Sequence, residues 1–251
     1  MSIELPKSWQ DLTQEQLRYI CCLLGSGVEL ADVKYYCFIR WSGFEVVSRW
    51  GDDWIVAVRK GFFSRKELTI SGETVACQAV RWLSWLDKVA EKPVRVEEYN
   101  GLVACDAMLF GLEFEKFLRL ENLWQGYIYS RQQEPLCHMA HILYADKKER
   151  MWKKVPEVVR ASVAIWFMSF KQMCYEEWPN LFRPGEGEHE EGEAIDVKAI
   201  TNMQIRALTG GDITKEKEVL QMDVWRALTE LDAKAHDAAE QRKEIAKLKH
   251  K

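Results

Sequence analysis

The sequence predicts an α-rich α+β fold, with a mainly helical body, a small antiparallel β-hairpin or sheet, and a C-terminal helical hairpin arm. Apolar residues recur every three or four positions through most of the 251 residues, which is the helical period. Alternating residues around a Gly-Asp-Asp turn, at about 44–72, predict the β insertion. A Gly- and Glu-rich segment, 183–194, divides the body, 1–182, from the arm, 195–251.

Six stretches of the body have the apolar spacing of helices. The first begins at Thr13, which has Gln16 three residues later, the spacing of a capping box. The predicted helices of the body cover 13–24, 29–40, 73–90, 112–130, 134–144 and 156–178. The stretch "VRVEEYNGLVACDAML" is ambiguous between strand and loop.

The run "ASVAIWFMSF", 161–170, is apolar on nearly all sides of its predicted helix. Charged Arg160 and Lys171 bracket it after ten residues, whereas a membrane span takes about 20. We therefore expect the central helix of the core here, and no membrane association.

The arm carries a second apolar stripe at helical spacing. One helix is expected from Ala194 to Leu208 and another from about Asp212 to Lys249, after the Gly210-Gly211 break. The second helix presents an apolar face at Met222, Trp225, Leu228 and Leu231. This face must be covered either by the body or by another chain, and we take it as a candidate partner-binding stripe.

The segment "RPGEGEHEEGEA", 183–194, has five glutamates and one histidine. His189 raises the question of a metal site, but glycines give no preformed ligand geometry. Mutual repulsion and the lack of apolar residues favour a solvated linker instead.

The chain contains no complete catalytic motif, and the sequence predicts no enzyme and no cofactor. Two groups keep an enzymatic or metal-binding alternative open. Glu121 falls on the apolar stripe of its helix, where a buried acid can have a catalytic role. Cys137, His138 and His141 lie together in "CHMAH", although two further metal ligands would have to come from elsewhere.

The charge balance indicates which class of partner to expect, and the cysteines indicate the cellular compartment. Outside 183–194 the chain has 34 basic and 34 acidic residues, so no overall basic field favours nucleic acid. The stretch "RKGFFSRK" interleaves four cations with two phenylalanines. Phe62 and Phe63 are better candidates for contact with a protein partner than with nucleic acid. Seven cysteines without a C-x-x-C pair and the absence of a secretory signal indicate reduced thiols and a cytoplasmic protein.

Three stretches stand out together: "LPKSWQDLTQEQL", "LEFEKFLRLENLWQGYI" and "IRALTGGDITKEKEVLQMDVWRALTELDAKA", in all 61 of the 251 residues. They resemble small prophage proteins from tail-assembly gene neighbourhoods. The resemblance implies a role in virion morphogenesis, as a structural tail component or a tail-assembly chaperone. The partners it implies are tail or tape-measure proteins or a second copy, in the host cytoplasm or in the virion.

The linker interpretation predicts that proteolysis begins within 183–194. A glutamate-specific protease should cut there before it cuts the body, because the segment has nothing to bury. Mass spectrometry of the first fragments locates the cut. First cleavage within 113–130 would contradict the proposed boundary.

Overall fold

The computed structural model describes residues 5–59, 65–147, 154–182 and 197–249. The acidic segment 183–194 and the candidate contacts Phe62 and Phe63 lie outside these ranges. The α-rich α+β class predicted from the sequence is confirmed.

The N-terminal part of the body is built from three helices and a three-stranded sheet. The helices are α1 (Gln14–Gly25), α2 (Leu30–Trp41) and α3 (Gly72–Trp82). The sheet is antiparallel in the order β1 (Glu45–Trp50), β2 (Asp53–Arg59) and β3 (Arg65–Ile70). The expected turn at Gly51 joins β1 to β2, so the β insertion is confirmed.

Local signals set the start of α1. The Thr13 hydroxyl accepts a hydrogen bond from the Gln16 amide at 3.2 Å, and the Gln16 side chain accepts one from the Thr13 amide at 2.9 Å. The predicted capping box is therefore present. At the other end of α1, a Cβ on Gly25 would lie 2.7 Å from the Glu157 carbonyl oxygen, so only glycine permits this close approach.

The helix expected over 73–90 is shorter than predicted. It ends at Trp82, and a 3₁₀ turn, Ser84–Asp87, follows. Leu83 and Leu86 are both buried, so the apolar pattern is used although the helix stops.

The ambiguous stretch after Pro93 forms a second small sheet. Its antiparallel strands are β4 (Glu98–Tyr99), β5 (Leu102–Ala104) and β6 (Tyr144–Asp146), with β5 in the centre. Asn100 and Gly101 both have positive φ, 52° and 87°, as the tight turn of a two-residue hairpin requires.

The remaining helices of the body are α4 (Phe114–Ser130), α5 (Glu134–Leu143) and α6 (Glu157–Glu177). Helix α6 is buried along most of its length, as predicted for the central helix. Its Val158 and Ile165 belong to the N-terminal hydrophobic core, whereas Val163, Trp166 and Phe170 belong to the C-terminal one. The two cores therefore meet along a single helix.

A buried hydrogen-bond network joins α6 to β6 and to the segment before β4, both parts of the second sheet region. The Ser162 hydroxyl accepts from the Val96 amide at 2.9 Å, and the Tyr144 hydroxyl donates to the Val96 carbonyl at 2.8 Å. Because Tyr144 has one hydroxyl proton, Ser162 donates its own across the 3.0 Å contact to the Tyr144 oxygen. Burial raises the pKa of Tyr144, so this proton stays in place.

The arm is more broken than expected. It contains α7 (Val197–Thr209), a 3₁₀ turn (Ile213–Lys215), α8 (Glu216–Leu220) and α9 (Val224–Lys249). The single helix predicted from 212 to 249 is interrupted at 221–223. The interruption has a tertiary cause, because the Phe114 amide donates to the Met222 carbonyl and the Val224 amide to the Leu112 carbonyl.

Leu228→Ala and Leu248→Ala form a matched test of how α9 is attached. Leu228 is fully buried in the C-terminal core, whereas Leu248 on the same helix is 72% exposed. Leu228→Ala should lower the free energy of unfolding by about 2–5 kcal/mol, and Leu248→Ala by less than about 0.5 kcal/mol. Denaturant unfolding measures both, and equal effects would contradict this packing.

Candidate interaction surface

The indole of Trp225 is held inside the molecule by three contacts. Its ring stacks on Phe110 at a centroid distance of 4.7 Å and meets Trp178 edge-on at 4.8 Å. Its Nε1 donates to the Met108 carbonyl. Trp225 is therefore an anchor, but the groove that it fills belongs to the same chain.

The rest of the apolar stripe of α9 also packs against the body. Leu228 and Leu231 are buried in the core that α4, α5 and α6 form, and Met222 and Trp225 pack at its edge. Of the two coverings left open by the sequence, the body is the one observed. Leu228 and Leu231 are thus covered by the body, whereas Met222 and Trp225 stay half-buried, and a partner contact through this stripe remains a prediction.

Two aspartates fix the orientation of α9. At its start, the Asp223 carboxylate accepts from the amides of Gly111 at 2.7 Å and Trp225 at 2.9 Å. Two turns later, the Asp232 carboxylate receives the Asn180 amide at 2.7 Å, the Asn180 side chain at 2.9 Å and the Leu181 amide at 2.9 Å. Charge-assisted hydrogen bonds of this kind are among the stronger ones, so α9 is tied to the end of α6.

Glu121, the buried acid considered for catalysis, is engaged in an ion pair. Its Oε2 lies 2.8 Å from the Lys171 ammonium, and both side chains are mostly buried. The same ammonium lies 4.7 Å from the centre of the Phe182 ring. The pair links α4 to α6, as expected for a structural role.

The Cys137, His138 and His141 side chains of α5 differ in burial. Cys137 is half-buried, whereas both histidines are exposed. His138 Nε2 lies 3.7 Å from Glu134, one turn earlier on the same helix. Within the described ranges, no group of three or more His, Cys, Asp or Glu side chains is placed to hold a metal ion.

The outer side of the arm, in contrast, presents apolar side chains to solvent. On α7 Ile200 and Met203 are exposed, the latter to 63%, and beyond the glycine turn Ile213 is 82% exposed. We call these three residues the α7 strip. Ile200 and Met203 lie on the side of α7 away from the inward-packed Ile205 and Leu208, but two residues are too few for apolar periodicity to predict an exposed face.

Three open depressions are lined by residues of the arm, and one of them, about 260 Å³, includes Ile213 of the α7 strip. The other two have volumes of about 590 and 330 Å³, and the smaller of these lies between α7 and α4. Five basic and two acidic side chains line the three depressions: Arg119, Lys198, Arg206, Lys217, Arg226, Glu216 and Glu218. Taken together, their walls therefore carry net positive charge.

The cysteines are free thiols of unequal accessibility. Burial is the main factor that raises the pKa of Cys37 to about 12, of Cys105 to about 11 and of Cys174 to about 12. Burial also raises the pKa of Cys21. A raised pKa lowers the thiolate fraction, so none of these four is an activated nucleophile.

We therefore predict that an aromatic disulfide reagent at about pH 8 modifies only Cys22 and Cys77 rapidly in the folded protein, because these two thiols are exposed. All seven should react in denaturant without added reductant. Cys22→Ser with Cys77→Ser should remove the rapid phase. A rapid phase that persists in this variant would contradict the burial of the others.

Comparison with known proteins yields no relative for this arrangement. No protein-family model, no curated protein and no solved structure matches the chain. Among the described residues, no helix has the length and apolar character to cross a membrane.

Proposed function

We propose that this chain is a non-enzymatic protein-interaction component of a phage or prophage tail, as a structural tail protein or a helper of tail assembly in the host cytoplasm. The observation that supports an interaction role is the α7 strip, whose apolar side chains face solvent on a firmly attached arm. The resemblance to prophage proteins of tail-assembly neighbourhoods supplies the biological setting.

The attachment of the arm supports the use of its outer side for binding. Trp225, Asp223 and Asp232 fix α9 on the body, and α7 packs against α8 and α9. A surface fixed in this way loses little conformational freedom when a partner docks, which leaves more of the contact energy for affinity.

The chemistry around the α7 strip defines the partner. Apolar residues at the centre of a protein interface exclude water, and charged residues at its rim select the partner and speed the encounter. Since exposed Lys198 and Arg206 lie on the same helix as Ile200 and Met203, we expect the complementary surface to have an apolar centre and acidic side chains at its edge. A tail or tape-measure protein with such a surface is the expected partner.

The test combines Met203→Asp with Ile213→Asp in a phage that carries this gene. Two buried carboxylates at the centre of the interface should weaken partner binding by about 2 kcal/mol or more and lower the yield of tailed particles. Val80→Asp is the matched control, since Val80 is an exposed apolar residue of α3, away from the arm. Plaque titre, electron microscopy of particles and thermal unfolding of the purified variants give the readout.

Normal tails and an unchanged titre after deletion of the gene would overturn the tail assignment. Equal loss of titre with Val80→Asp would show that the α7 strip is not the contact.

A further inference from the structure

We infer that two copies of the chain associate through the distal part of α9, residues 237–249, as a short parallel two-stranded coiled coil. The inference deepens the proposed interaction role, on which it rests, by naming a second copy as one partner.

The distal part of α9 leaves the body as a free helix. All described side chains from Glu240 to Leu248 are exposed, and at about 1.5 Å per residue this stretch extends roughly 13 Å into solvent. Ile245 is 54% and Leu248 72% exposed. Two large aliphatic side chains on an otherwise charged helix mark a face that another surface can cover.

The spacing on this face is that of a heptad repeat. Ala238, Gln241, Ile245 and Leu248 follow each other at intervals of three, four and three residues, so they occupy positions a, d, a and d. A β-branched residue at a with leucine at d is the pattern that favours two parallel strands. The heptad pattern therefore favours the same helix of a second copy as the partner that covers this face.

The flanking charges agree with a parallel second copy. Asp237 and Arg242 occupy the g and e positions five residues apart. In a parallel pair each g residue faces the e residue of the other helix, so the pairing of Asp237 with Arg242 is attractive and occurs twice. An antiparallel pair would instead place Asp237 beside the second copy's Glu244, which repels it.

The body leaves room for this arrangement. Its contact side on α9 is defined by Val224, Leu228 and Leu231, which are buried. With about 100° between successive residues, the stripe of Ile245 and Leu248 lies roughly a quarter of a turn away from that side. A second helix can therefore lie beside α9 without meeting the body that α9 carries.

The test is sedimentation of the full chain over protein concentrations from about 10 µM to about 1 mM, because two heptads support only weak association. Asp237→Arg and Arg242→Glu should each weaken the dimer by about threefold or more, since each creates like charges across the interface. The double variant carrying both substitutions should restore it, because the pairs are then attractive again. Lys243→Glu is the matched control for Arg242→Glu, because it makes the same charge change on the opposite face of the helix.

Wild-type protein that remains monomeric at all concentrations would overturn the inference. Tighter association of Asp237→Arg would overturn the parallel orientation, and a double variant as weak as the single ones would overturn the g-to-e pairing. The tail-assembly result with the α7 strip variants is independent of these outcomes, so either proposal can fail without the other.

Discussion

The two hydrophobic cores depend on α6, which supplies buried side chains to both. A helix in this position cannot present an exposed face along its middle, so any polar atom there needs a partner within the protein. Ser162 meets that requirement through Val96, just before β4, and Tyr144, the first residue of β6. The second small sheet is therefore positioned by α6 as much as by its own short strands.

Features encoded by neighbouring residues could be predicted from the sequence. The Thr13 and Gln16 capping box and the hairpin turn at Gly51 depend on contacts within a few residues, and both are present. The C-terminal end of α3 and the interruption before α9 could not be predicted in this way. The interruption is made by Leu112 and Phe114, more than a hundred residues away from Val224, and no local pattern reports such a contact.

The same difference between local and long-range contacts explains why the sequence left two possible covers for the apolar face of α9. Apolar spacing on α9 indicates that one face is covered, but the spacing is the same whether the cover is the body or a partner. The groove that receives Trp225 is formed by Met108, Phe110 and Trp178, which come from two separate parts of the chain. The exposed α7 strip, conversely, consists of only three residues, too few for periodicity to distinguish from the inward face of α7.

Helix α9 is therefore packed against the body in its first half and exposed to solvent in its second half. Its first half uses Leu228 and Leu231 to complete the C-terminal core, and its carboxylate Asp232 binds the turn that ends α6. Its second half exposes Ile245 and Leu248 on a stripe rotated away from that attachment. Because the helix is continuous between the two, a contact made at the distal end is held in a fixed direction relative to α6. A contact at that end would therefore lie on the same helix as Leu228, Leu231 and Asp232, which attach α9 to the body.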